Sequence, residues 1–256
     1  MPRPLALITG ASAGIGLELA KQLACDGYDL LLTARREDRL RQIADDLTNT
    51  TSASITIFIA DLADPASPQN IYDFTKENNL TIDTLINNAG FGLRKDFHES
   101  DLPRLLEMIQ VNITALTHLT GLFLPDMIKR KNGTILNVAS TAAFTPGPHM
   151  AVYYATKAFV LHFSEAIASE LQNTGVTVSC LCPGPTNTEF GEVSGMSTTK
   201  VFKFAVPVEP VVTTAIKGMK KKKKIIIPGF GNRAGIFFMR FTPRIIVRYM
   251  VGKLQR

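Results

Sequence analysis

The stretch "PLALITGASAGIGLELA", residues 4–20, decides the fold. Its first part, "PLALIT", has no polar alternation and reads as a short strand buried on both faces. Glycines follow at 10, 14 and 16, and from Ile15 to Asp26 the apolar residues fall at helical spacing. A strand that turns through glycines into a helix opens a β-α-β unit. Glycine lets the backbone approach a pyrophosphate closely, and the free N–H groups and dipole of a helix N-terminus stabilise its charge. Gly10, Ser12, Ala13, Gly14, Ile15 and Gly16 are therefore candidates to hold a dinucleotide. The spacing G-x-x-x-G-x-G differs from the G-x-G-x-x-G fingerprint, and any tight turn of this kind favours glycine. Its place in a β-α-β unit is what gives it weight.

Outward from this stretch the chain keeps alternating. "YDLLLTA", "SITIFIA", "IDTLIN", "GTILNVAS" and "VTVSCLC" are short apolar runs bounded by Gly, Asp, Asn or Pro. Between them lie amphipathic stretches at Ile15–Asp26, Glu37–Thr48, Pro68–Asn78, Pro103–Arg130 and Ala151–Asn173. Continuous apolar strands alternating with helices predict an α/β fold, a Rossmann-type, doubly wound parallel sheet of right-handed crossovers. "KIIIPG" supplies a seventh edge strand. The expected organisation is one α/β domain over residues 1–228 and a basic amphipathic tail over 229–256. Residues 186–207 form a long loop carrying Phe190, Phe202 and Phe204, the composition of a substrate lid.

The second strand runs into "LLLTARRED". An NAD site usually offers an acidic side chain there for the ribose hydroxyls. Arg35 and Arg36 stand in that place, and two guanidinium groups suit a 2′-phosphate instead. The expected cofactor is NADP(H) in preference to NAD(H); the bland alternative is a pair of arginines that opens an exposed helix.

"MAVYYATKA", residues 150–158, sets Lys157 at i+4 from Tyr153 and i+3 from Tyr154. A lysine ammonium beside a phenol lowers the phenol's pKa from about 10, which would make a proton donor usable near neutral pH. Helix geometry alone allows either tyrosine, and also allows two packing tyrosines with a solvated lysine.

These motifs occur in a fixed order: Thr9-Gly10-(x)3-Gly14-x-Gly16, Asp61-Leu62, Asn87-Asn88-Ala89-Gly90, Asn112, Ser140, Tyr153-(x)3-Lys157 and Pro183-Gly184. In that order they resemble the short-chain dehydrogenase/reductase family, from about Pro4 to Thr188. The resemblance implies an NADP(H)-dependent oxidoreductase interconverting a ketone or aldehyde and an alcohol. It selects Tyr153 as proton donor and implies that Lys157 lowers the phenol's pKa and holds the nicotinamide ribose. It implies that Ser140 orients the carbonyl oxygen and that Asn112 positions a water leading to Lys157. For the cofactor it implies contacts from Asp61 and Leu62 at the adenine, and from Asn88, Ala89 and Gly90 along its length. Pro183, Gly184, Thr186 and Thr188 would lie near the nicotinamide, with Thr188 at the carboxamide. "NVAS" departs from many relatives in having Ala139 for a second serine. A homo-oligomer, dimer or tetramer, is a further implication.

Composition bounds the rest. Three cysteines give no even disulfide framework and no metal spacing. Cys180 and Cys182 are read as lying on opposite or splayed faces of an extended run and hence as poor disulfide partners. A reducing, cytoplasmic setting follows. No signal peptide and no apolar run of membrane-spanning length is seen. The net charge of +6 divides unevenly, because Val211–Arg256 holds seven Lys, five Arg and no acid while the first 210 residues carry −6. "MKKKKK" reads as a solvated helix end. Beyond it, Arg233, Arg240, Arg244 and Arg248 are read as one helical face, with Thr242-Pro243 capping a second helix. That pattern suits a peripheral contact with an anionic membrane surface, against packing over the substrate pocket or in an oligomer. Nucleic acid is disfavoured, since the aromatics are not interleaved with the lysines. The functional expectation is a carbonyl reductase for an apolar substrate. The alternatives are a non-catalytic NADP(H)-binding regulator and a membrane-associated interaction protein on the same fold.

Overall fold

The computed structural model describes residues 3–255, so Met1, Pro2 and Arg256, which the readings of the N-terminus and of the tail charge include, lie outside the described residues. Seven strands form one parallel sheet: β1 (Leu5–Thr9), β2 (Asp29–Ala34), β3 (Ile55–Ile59), β4 (Thr84–Asn87), β5 (Gly133–Val138), β6 (Val176–Leu181) and β7 (Ile225–Ile226). Their order is β3-β2-β1-β4-β5-β6-β7. The order reverses between β1 and β4, which leaves a crevice at the carboxyl ends of those strands.

Period-two alternation sorts each strand onto two cores. Ala6, Ile8, Leu30, Leu32 and Leu136 face α1 (Gly14–Cys25), α2 (Glu37–Thr50) and α8 (Val208–Lys220). Leu7, Leu31, Leu85 and Ile135 face the opposite way, toward α3 (Ser67–Glu77), α5 (Leu116–Arg130) and α6 (Ala151–Glu170). Helices on both faces are why the strands read as unbroken apolar runs.

On the face of the sheet covered by α5 and α6 runs a polar chain. Asn87 donates to Asn137 Oδ1 at 2.9 Å and to Thr120 Oγ1 at 3.1 Å, and Asn137 donates to Ser164 Oγ at 2.9 Å. All four residues are buried.

Three sequence expectations are corrected. The helix expected over Pro103–Arg130 is interrupted: α4 (Leu102–Ile109) passes through a π-helical turn at Gln110–Ala115 before α5. Asn112 sits in that turn with its side chain bonded to the Phe91 backbone and to Thr156, contacts that accompany the local unwinding. Cys180 and Cys182 share a face, because residues i and i+2 of an extended run point the same way. Their sulfurs lie 3.8 Å apart, and both thiols are buried and free. The arginines of the tail do not form one continuous stripe. α9 (Phe230–Met239) stops, and α10 (Arg244–Leu254) starts after Pro243, which lacks the N–H a continuing helix needs. Among the described residues no helix is long and apolar enough to cross a membrane.

Candidate active site

The turn after β1 depends on two glycines. Gly10 has φ +66°, and a Cβ there would sit 2.9 Å from the Ala89 Cα. A Cβ on Gly16 would lie 2.3 Å from the Gly10 carbonyl oxygen. The segment after β4 braces the turn from beneath. Asn88 donates its side-chain amide to Thr9 O at 2.8 Å, and Thr9 Oγ1 accepts from the backbone N–H groups of Asn88 and Ala89, each at 3.0 Å. Ala13 precedes α1 and offers no side-chain cap, so the N–H groups of the first turn have no side-chain acceptor there. That arrangement favours an anion.

At the β2 end of the crevice, Arg36 donates to Ser12 Oγ (3.2 and 3.3 Å) and pairs with Glu189 at 2.8 Å. Arg39 also reaches Glu189, at 3.5 Å, while Arg35 lies 3.7 Å from Asp61. Glu189 belongs to the loop after β6, so that loop is clasped to the arginine end of the crevice. No local pattern signals this pair, since its partners are 153 positions apart.

At the other end, β5 delivers Ser140 and α6 delivers Tyr153 and Lys157. Ser140 accepts a hydrogen bond from the Ala142 N–H at 3.1 Å and is also bonded to the Tyr153 phenol. Lys157 donates to Val138 O at 2.8 Å, with its Nζ 5.9 Å from the centre of the Tyr153 ring. Burial moves the two groups in opposite directions, because it penalises whichever form is charged. It pushes the phenol above its ordinary range, which the Ser140 bond only partly offsets, and it lowers the lysine to about 8. Desolvation sets the direction of both shifts.

The expected site residues line one cavity of about 440 Å³, apart from Gly16 and Asn112, which stand behind its wall. Over Tyr153 the loop 186–207, which holds the short helix α7 (Phe190–Val193), folds back. The Phe190 ring is 5.3 Å from the Tyr153 ring, in a cluster that includes Met150, Met196 and Phe202. Tyr154 lines the same cavity, and its hydroxyl accepts a hydrogen bond from Gln255, whose backbone carbonyl accepts from Arg94 Nε at 2.6 Å. The Arg94 N–H meanwhile donates to Ser194 O at 2.8 Å. Arg94 therefore ties both the loop and the end of α10 to the rim, a role with no sequence signal.

Residues 4–196 match the model of the short chain dehydrogenase family. The chain belongs to that family. Sulfoacetaldehyde reductase 2 of Chromohalobacter salexigens is 37% identical over 188 residues, 73% of this chain and 74% of that one. Very-long-chain 3-oxoacyl-CoA reductase of Anas platyrhynchos is 33% identical over 195 residues, 74% of this chain and 62% of that one. The structure of a short-chain dehydrogenase from Sphingobium yanoikuyae in complex with NADPH is similar at 32% identity and a TM-score of 0.84, covering 93% of each chain. As a short-chain dehydrogenase, this oxidoreductase carries its family match on β1 through the first part of the loop after β6. The remainder of that loop, α8, β7, α9 and α10 lie beyond residue 196.

Proposed function

We propose that this short-chain dehydrogenase interconverts a ketone or aldehyde and an alcohol with NADP(H), on a substrate with a substantial apolar part. The observation that carries the reading is the meeting of Ser140, Tyr153 and Lys157 in one cavity with the glycine turn and the arginines. The cradle fits the cofactor: Gly10 and Gly16 leave no room for a Cβ, the first turn of α1 lacks a side-chain cap, and Arg36 stands beside Ser12 where a 2′-phosphate would fall. The similar structure in complex with NADPH supports the choice of cofactor.

The bound nicotinamide would supply or accept hydride. Tyr153, held protonated by burial, is in the form that reduction of a carbonyl requires, and gives its proton to the carbonyl oxygen. Ser140 donates to the same oxygen and orients it. Lys157 holds the ribose, and its charge eases deprotonation of the phenol in the oxidative direction. The π-helical turn at Asn112 sets a water from which Lys157 draws protons. The loop 186–207 serves as the lid, and Phe190 and Phe202 give it an apolar inner side. Two relatives are named as reductases, of sulfoacetaldehyde and of very-long-chain 3-oxoacyl-CoA, which supports the reductive direction. A non-catalytic regulator would have no need of the three side chains together.

The test is NADPH and NADH consumption with aldehydes and ketones of increasing chain length, on the wild type, Tyr153→Phe and Tyr154→Phe. Tyr153→Phe should lose turnover by roughly 10²–10⁴-fold while binding NADPH normally, and Tyr154→Phe should keep most of it. NADPH binding without turnover of any carbonyl would overturn the reading.

A further inference from the structure

The cavity leaves α9 and α10 unexplained. Two short helices here hold only Ile236 and Val247 buried, with Gln255 just beyond α10 as a third anchor. Most of the other bulky side chains are in solvent, Met239 and Val251 being half-buried: Phe241 is 74% exposed, Tyr249 70%, and Phe238 and Ile245 66% each. Residues this apolar are seldom left out of a core at such density. Basic side chains are set among them, with Arg233, Arg240, Arg244, Arg248 and Lys253 all exposed and no Asp or Glu from Val211 onward.

The break at Arg240–Pro243 explains how this surface is presented. α9 is held at its start, where Asn232 packs on Gly184, and α10 at its end, where Gln255 meets Tyr154 and Arg94. Between these two fixings the Phe237–Phe238–Phe241 cluster and Ile245 lie exposed near the bend. Rings that meet edge to face in water, with exposed arginines on the same two helices, match the layered chemistry of a bilayer surface: acyl chains below, anionic headgroups above. A second copy is a poorer occupant. In a two-fold contact the same patch meets itself, which here would set one strongly basic tail against another.

We propose that the α9–α10 unit is a docking surface for an anionic lipid bilayer, with the aromatic and aliphatic side chains around the bend entering the interface and the arginines and Lys253 engaging headgroups. The surface is anchored on the rim of the candidate site and does not include the cavity lining, so docking and cofactor binding are separable.

The full-length protein, loaded with NADPH, should sediment with vesicles of phosphatidylcholine containing phosphatidylglycerol and stay in solution with pure phosphatidylcholine. Raising the salt should weaken sedimentation, since exposed charges are screened. Arg240→Glu, Arg244→Glu and Arg248→Glu together should lower vesicle affinity by at least roughly tenfold. Phe238→Ser with Phe241→Ser should lower it even at low salt. Both sets alter exposed side chains and should keep NADPH affinity, which also reports that they fold. Equal sedimentation with the two vesicle types would overturn the proposal, as would vesicle binding unaffected by these substitutions. A dimer that ignores vesicles and dissociates on the same substitutions would overturn it too, by making the face a subunit interface.

Discussion

The turn after β1 and the bend between α9 and α10 are both places where a helix begins after a chain reversal, yet they are built in contrary ways. At the first, every neighbour comes from the chain itself: Asn88 and Thr9 brace the turn, and there is no room for a side chain on Gly10 or Gly16. At the second, few neighbours are present, and phenylalanines pack on each other in solvent. The first region is complete without a partner of its own size and admits only a ligand. The second is left open over its whole outer side. Local geometry specifies the one, and only surroundings can specify the other.

The contrast can be broken by changes that cost much in one region and little in the other. The largest expected effect is at Lys157. Its folded pKa of about 8 lies below the unfolded value, so burial destabilises the fold as long as the unfolded lysine is charged. The penalty is complete below pH 8, shrinks as the pH rises from there, and is gone above about 10.4. Lys157→Met should therefore unfold at higher temperature than the wild type at pH 7, by a margin on the order of 3 kcal/mol at most, and the margin should close at high pH. Thermal melts across this range check it. A margin that grows with pH would show that Lys157 is not an electrostatic cost to the fold.

Next in size is the arginine end of the crevice. Replacing Arg35 and Arg36 with Gln should raise the NADPH dissociation constant and leave NADH nearly unchanged. A charge-assisted contact contributes roughly 1.5–3 kcal/mol. Glu189 already holds Arg36, so the expected change is at the lower end, about tenfold. Titration of both cofactors measures it, and equal losses for the two would remove the 2′-phosphate from the explanation.

The smallest effect belongs to the seam between the regions. Gln255→Ala removes the bond to Tyr154 and should cost about 1 kcal/mol, a fall in melting temperature of roughly 2–4 °C. Faster proteolytic clipping of α10 with unaltered NADPH affinity would confirm that the tail is hung on the rim and does not shape the cradle.

What could be read from the sequence follows the same division. The strands were legible because burial on both faces leaves an unbroken apolar signature, and the cradle because its motifs occur in chain order at close spacing. The opposed shifts of Tyr153 and Lys157 were not legible, since spacing along a helix shows proximity and says nothing of desolvation. Glu189, Arg94 and Gln255 act across 101 to 161 positions, on partners no periodicity can name. The arginine stripe failed for a local reason: intervals of four suggest one face only while a helix continues, and Pro243 ends that condition.

The amide pair in the middle of the sheet has a consequence for assembly. Strands that are apolar on both faces offer little to distinguish one alignment from the next, because a slip still buries leucine against leucine. Asn87 and Asn137 are directly opposite in the native alignment of β4 and β5. A shift of one residue would separate them and leave buried amides unpaired, at about 1–3 kcal/mol each. Two polar side chains in the driest part of the molecule thus act as a key, by which a featureless stack of strands can close in only one way.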